Sequence, residues 1–211
     1  RMDSLMVAAN IRSLSLLELF YTCVSNLCKI MNERGTKIPD EQHHYIEKDD
    51  YNKCIYHKRD MDATERTIVV MKDADILIKI CDSTGDFDDT SEYQLLIRLL
   101  KEHTIIDDDG SRRLRQKEEV ENPSEVLLNP SDPEATFRYK AGGKHLGYVG
   151  NIVESVGENG SLIIDYDYQP NTYADNQFMK DYLKRKKRFF RWFLFCCRWS
   201  IQWRKKLTFS I

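Results

Sequence analysis

Apolar residues recur at helical spacing from Ser15 to Met31, where Leu17, Phe20, Val24, Leu27 and Met31 fall on one stripe. Ser15 and Glu18 have the spacing of a capping box, and Gly35 then Pro39 end the segment. The pattern predicts two more helices, at about Asp62–Cys81 and at Ser91–His103. In the second of these Ser91 is the expected cap, and Leu95, Leu96, Leu99 and Leu100 share a face. A polar stretch runs up to Asp60, with Tyr45, Tyr51 and Tyr56 as its anchors. The acidic segment Ser83–Asp89, which contains one glycine, reads as an exposed loop.

From Asp107 to Pro130 the chain is charged, with a turn at Asp109-Gly110. Asp107, Asp108 and Asp109 lack the alternating acids and distal glutamate of a calcium loop, so a solvated turn is expected. After Pro133 the pattern becomes alternating. Tyr148–Val156 and Ser161–Tyr168 flank Gly157-Glu158-Asn159-Gly160, which signals a hairpin. Thr136–Lys140 adds a strand ahead of it, and Asp175–Leu183 turns helical again. The order predicts a mixed α/β domain with a long helical insertion over about 12–110 and a strand region over about 134–170.

At 211 residues, 41% hydrophobic and 31% charged, the chain has enough apolar surface for a real core. It begins at Arg1, which puts the expected start upstream. The six cysteines show no CxxC spacing and no signal peptide is evident, so reduced, mostly buried thiols in a cytosol are expected. A zinc site using His43, His44 or His57 is the lesser reading. The net charge of −2 conceals a split: ten basic residues and no acid lie between Leu183 and Ile211. That leaves 32 − 10 = 22 basic against 34 acidic residues over 1–182, a net of −12.

Three stretches carry a family resemblance. They are Asn129–Lys140 (NPSDPEATFRYK), Gly147–Glu154 (GYVGNIVE) and Asp167–Phe178 (DYQPNTYADNQF). With the opening Arg1–Ala8 (RMDSLMVA) and Leu14–Leu19 (LSLLEL), they resemble in order the catalytic region of DDE-type transposases of bacterial insertion sequences. The likeness covers residues 1–183. It implies a partial RNase-H-like domain, a mixed sheet flanked by helices. It also implies cleavage and strand transfer of element-end DNA into a target, self-association of the intact enzyme, and a bacterial cytoplasmic, nucleoid-associated setting. Three carboxylates would hold two Mg2+ (or Mn2+) ions that activate the attacking oxygen and stabilise the leaving one.

Asp3, followed by Ser4, matches the first carboxylate and so is the expected catalytic and metal-binding residue. The second, within Val-Ala-Asp-Gly-Ala-Tyr, and the third, a helical glutamate, do not occur in the chain. Arg138, Lys140, Lys144 and His145 are the candidate DNA contacts, with a solvated strand edge as the competing reading. Asp165 and Asp167 share a strand face as paired metal ligands would, but they do not match catalytic positions of the family and read as polar-face residues.

The segment 184–211 does not resemble the family, and a change of reading frame accounts for it. The single codon of Trp199 and of Trp203 forces glycine when read one base later. An allowed codon set for Cys196–Arg204 then yields Val-Ala-Asp-Gly-Ala-Tyr-Ser-Gly-Glu, the missing motif. An inactive fragment is therefore expected. Two alternatives use the tail as written. It would be a nucleic-acid arm stacking Trp192, Trp199 and Trp203 on bases, or a cationic membrane-surface helix too short and charged to span a bilayer.

Overall fold

A computed structural model describes residues 1–57, 61–140 and 142–186, which form a mixture of helix and sheet. The chain divides into two compact units: Ala8–Tyr148, and Arg1–Val7 together with the chain from Val149 onward. The inserted unit thus extends well beyond the helical block expected from the periodicity.

In the inserted unit, α1 (Leu16–Glu33) packs against α3 (Ala63–Thr84) and α4 (Ser91–His103). Phe20, Val24, Leu27 and Met31 are fully buried, so the predicted stripe is the core face. Val70, Met71, Ala74, Leu77 and Cys81 meet it from α3, and Leu96, Leu99 and Leu100 from α4. Ser15 caps α1 in the anticipated box with Glu18, and Asp62 caps α3 in a second box with Glu65. The cap of α4 is Thr90 rather than Ser91: its hydroxyl accepts from the Tyr93 amide, one position upstream of the expected residue. Gly85 ends α3 at φ +69, a left-handed conformation that L side chains rarely adopt. The loop after it is not wholly exposed, because Phe87 is driven into the core.

The polar stretch before α3 is also ordered. It forms a 3-10 helix (Asp40–Ile46), the single turn α2 (Asp50–Asn52) and a π turn (Lys53–His57). Tyr45 is buried as expected, whereas the ring of Tyr56 is exposed and only its hydroxyl reaches inward. Much of this region converges on Glu18. Its carboxylate accepts from the Arg12 guanidinium at 2.7 Å, the Ser15 amide at 2.8 Å, and the hydroxyls of Tyr51 at 3.0 Å and Tyr56 at 3.3 Å. The Arg12 hydrogen bond, with those of Ser15 and Tyr51, outweighs burial and holds this carboxyl at about 2.

Two short strands, β2 (Thr104–Ile106) and β3 (Arg112–Leu114), form an antiparallel hairpin that closes through the expected turn at Asp109-Gly110. Arg112 fastens it to α3 through Asp75 at 2.8 Å. Arg98 of α4 donates to the carbonyls of Glu125 and Pro133, and Glu102 accepts from the Leu127 amide. Leu127, so held, is fully buried. The Asn129 side chain donates to the Arg12 carbonyl and accepts from the Ser131 amide, which gives the Asn129–Asp132 turn its asparagine. β4 (Thr136–Lys140) then pairs antiparallel with the first residues of β5 (Gly143–Gly157).

In the other unit, β1 (Met2–Ala8) and β6 (Gly160–Pro170) both pair with β5. Arg1 with Glu154, Ser4 with Asn151 and Leu5 beside Gly150 run in opposite senses, so β1 is antiparallel to β5. β5 returns into β6 through Glu158 and Asn159, the predicted hairpin. Val149, Asn151 and Val153 alternate as buried residues on β5. A helix over 175–186, here α5, buries Phe178 against the ring of Tyr173. Leu162, Ile163, Ile164 and Tyr166 of β6 stay exposed.

A carboxylate held below its ordinary value stabilises the fold above that value and ceases to do so as pH falls through the depressed one. Glu18 should therefore contribute fully above pH 4.5 and lose its contribution as pH drops toward 2. Urea unfolding of Glu18→Gln across this range should show a shallower acid loss than the parent. At neutral pH the variant should be destabilised by about 1–3 kcal/mol, the cost of disrupting a hydrogen-bonded buried charge.

Candidate functional site

Asp3 lies on β1 with an exposed side chain. Its Oδ2 receives the Arg1 guanidinium at 3.1 Å and its Oδ1 the Ser4 amide at 3.0 Å. No His, Cys, Asp or Glu group gathers around it to make a multi-ligand site among the described residues. A hard dication such as Mg2+ needs several oxygen ligands and tolerates few substitutes. A single carboxylate already engaged by a guanidinium does not fit that requirement.

Asp165 and Asp167 do share a face of β6, and that face is occupied. Arg185 of α5 reaches Asp167 at 2.8 Å and Asp165 at 3.2 Å, so the two acids dock the helix on the strand. Burial is the largest single influence on Asp167 and opposes its charge, but the hydrogen bonds from Arg185, the Tyr168 amide and Gln169, with the Arg185 charge, together outweigh it and lower its pKa. This agrees with reading both aspartates as structural polar residues. It also gives Arg185, within the segment assigned to the altered frame, a defined role in the chain as written. The remainder of that segment, 187–211, with the aromatic arm and the membrane-helix alternatives that rest on it, lies outside the described residues.

The four candidate DNA contacts fall on one hairpin, β4–β5, but not on one face. Arg138 is directly opposite His145 and Lys140 opposite Gly143, whereas Lys144 is opposite Tyr139. Positions alternate between faces along a strand. Arg138, Lys140 and His145 therefore share one face, and Lys144 stands on the other with Phe137 and Tyr139. Lys144 sits 4.3 Å over the Phe137 ring, and Tyr139 meets that ring edge-on at 5.9 Å. One guanidinium nitrogen of Arg138 is buried with no hydrogen-bond partner among the described residues, whereas Lys140 and Lys144 are exposed. Residues 136–147 contain Arg138, Lys140 and Lys144 and no acid, so the hairpin is a cationic segment within an acidic stretch of sequence. The turn at its tip relies on Gly142, whose φ of +79 disfavours other residues.

One cluster was not assembled by sequence reasoning. His44 meets Asp50 and Cys54, with their ligand atoms all within 4.8 Å of one another. Histidines in this region were legible as possible ligands, but Asp50 was one of many acids in a polar stretch. Only the order of that stretch brings the three together. No family model, curated protein or solved structure matches the chain.

Reversing the charge at Arg185 tests whether the β6–α5 pairing is structural. Arg185→Glu puts three acids together and should lower stability by about 1 kcal/mol, the modest scale of a part-exposed pair. Asp167→Lys in the same chain should recover part of the loss, as read by thermal unfolding.

Proposed function

We propose that this chain derives from a DDE-type insertion-sequence transposase with an RNase-H-like catalytic domain, and that it is catalytically silent as it stands. The observation that carries the reading is spatial. Three separately recognised stretches, Arg1–Ala8, Gly147–Glu154 and the segment starting at Asp167, include parts of β1, β5 and β6, which pair side by side. A resemblance scattered over the sequence by chance would have no reason to coincide with neighbouring strands. The inserted unit, whose helical block is expected from the order of elements, separates the first stretch from the second in the chain.

Silence follows from the site itself. In-line phosphoryl transfer by two metals requires several carboxylates to clamp them. Asp3 is ion-paired with Arg1 and belongs to no group of three or more potential metal ligands among the described residues. What the chain retains is a means of touching DNA: the β4–β5 hairpin offers exposed Lys140 and Lys144 for phosphates and exposed Tyr139 beside them for packing on sugar or base. Its acidic surroundings make such binding weak and strongly salt-dependent.

Two measurements test this. Incubated with supercoiled plasmid and Mg2+ or Mn2+, the purified chain should leave the DNA intact; nicking that disappears in Asp3→Asn would overturn the silence. The gene sequence across codons 180–211 should continue, one base later, through Val-Ala-Asp-Gly-Ala-Tyr to a glutamate-bearing helix, and a closed frame would remove the frameshift account. Binding of a random-sequence duplex offers a further comparison. Replacing Lys140 and Lys144 by Ala should reduce the slope of log affinity against log salt by about 2, since each phosphate contact contributes roughly 0.9. If only Arg204→Ala, Lys205→Ala and Lys206→Ala reduce it, the tail rather than the hairpin is the DNA contact.

A further inference from the structure

Three elements of the inserted unit meet at one corner. His44 lies near the end of the 3-10 helix Asp40–Ile46, Asp50 opens α2, and Cys54 falls in the π turn Lys53–His57. His44 Nδ1 is 2.7 Å and Cys54 Sγ 3.4 Å from the same oxygen, Oδ2 of Asp50. The hydroxyl of Tyr21, from α1, is 2.6 Å from it as well. Asp50 is buried, while the imidazole of His44 is 36% exposed and Cys54 is half-buried, so the corner is open on one side. We infer that His44, Asp50 and Cys54 form a Zn2+ site with one position left for water.

Geometry comes first. Zinc bonds of about 2.0 Å to nitrogen and oxygen and 2.3 Å to sulfur put tetrahedral ligand atoms roughly 3.3–3.6 Å apart. The Asp50–Cys54 separation is already in that range, His44 has to retreat from Asp50 by about 0.6 Å, and all three ligand atoms lie within 4.8 Å of one another, a span that small rotations of His44 and Cys54 close. Donor chemistry agrees. A thiolate and an imidazole select zinc over magnesium or calcium, which prefer oxygen. Charge agrees too: a carboxylate and a thiolate neutralise the dication, so burying it on the Asp50 side leaves no net charge there.

The surroundings are those of a held ligand set. The Tyr45 ring lies against the His44 imidazole, with centroids 4.1 Å apart. Arg66 donates to the carbonyls of Cys54 and Ile55, both at 2.9 Å, and so fixes the π turn that presents the thiol. Such turns are rare and concentrate at functional positions. Tyr21 is left as the outer donor that orients the Asp50 carboxylate, the usual arrangement around a metal. Binding is an exchange without redox change. The Cys54 S–H proton passes to solvent as the Zn–S bond forms. His44 coordinates as neutral imidazole through Nδ1, with its proton on Nε2. One consequence is a cross-link of the segment 40–57 to itself, next to α1.

The test uses the full chain carrying Cys196→Ser and Cys197→Ser, so that only the internal cysteines remain, stripped of metal by a chelator. Titrated with Zn2+ against a chromophoric competitor, it should bind one ion per chain. With Co2+ it should develop a thiolate-to-metal charge-transfer band and the intense visible bands of tetrahedral cobalt. Cys54→Ser should abolish the charge-transfer band and His44→Ala should weaken binding further than Tyr21→Phe, for which a roughly 10-fold loss is expected. Helical circular dichroism of each metal-free variant checks that it folds. A measurement without any variant stands beside these: Zn2+ should protect Cys54 from iodoacetamide, mapped by mass spectrometry. The absence of the cobalt band, its survival in Cys54→Ser, or equal alkylation of Cys54 with and without Zn2+ would overturn the site and leave a hydrogen-bonded corner only.

Discussion

Arg1 and Glu154 exchange both of their backbone hydrogen bonds, at 2.8 and 2.9 Å, across a separation of 153 positions. That pairing is the constraint on which the arrangement of the chain depends. Bringing two points so far apart together costs roughly 4 kcal/mol in loop entropy if the intervening chain is featureless. Here it is not featureless, because Ala8–Tyr148 has a core of its own. Once that unit folds, the strands β1 and β5 are no longer joined by a random loop, and the sheet forms at a much smaller entropic cost. Asn151 reinforces the pairing from within, its amide donating to the Ser4 hydroxyl at 2.9 Å.

The inserted unit solves a different problem, how to order the polar segment 40–57 between α1 and α3. It does so with buried and half-buried acids and tyrosines in place of an apolar run. Tyr21 donates to Asp50, Tyr45 and Gln42 to Asp73, and Tyr51 to Glu18. The rings of Tyr21, Tyr45 and Tyr51 pack on one another at 5.3 and 5.4 Å, so the same side chains supply apolar area and hydrogen bonds. Burial, aided by the facing carboxylates, raises the pKa of Tyr21 and Tyr45 and keeps both phenols as donors. Each acid is costly to bury alone, and this layer leaves none of the three alone. The candidate zinc corner is part of the same layer, which is why its ligands are preorganised.

The β4–β5 hairpin and the β6–α5 contact show two uses of charge. At the hairpin, basic residues stand on both faces and residues 136–147 contain no acid, a pattern suited to an external anion. At β6, two acids face one arginine and the charge is consumed internally. The described helices include none that is long and apolar enough to cross a membrane.

Much was legible from the sequence by itself. Ser15 with Glu18, the leucine stripe of α4, and Gly157–Gly160 between alternating runs specify their elements locally, because caps, periodicity and turn chemistry act over a few residues. Asp3 came from the proposed resemblance and Arg138, Lys140, Lys144 and His145 from their basic charge beside the strand region, and both remain proposals. Tertiary structure alone decided what those residues meet. It buried Phe87 in a loop that composition marks as exposed, and moved the α4 cap to Thr90, since the packing of that loop sets where the helix begins. It divided Lys144 from Arg138, Lys140 and His145, because strand register fixes the face of every side chain at once. It also gathered His44, Asp50 and Cys54 around one oxygen. No local rule ranks one aspartate above its neighbours in a polar stretch; only folding against Tyr21 on a distant helix selects Asp50.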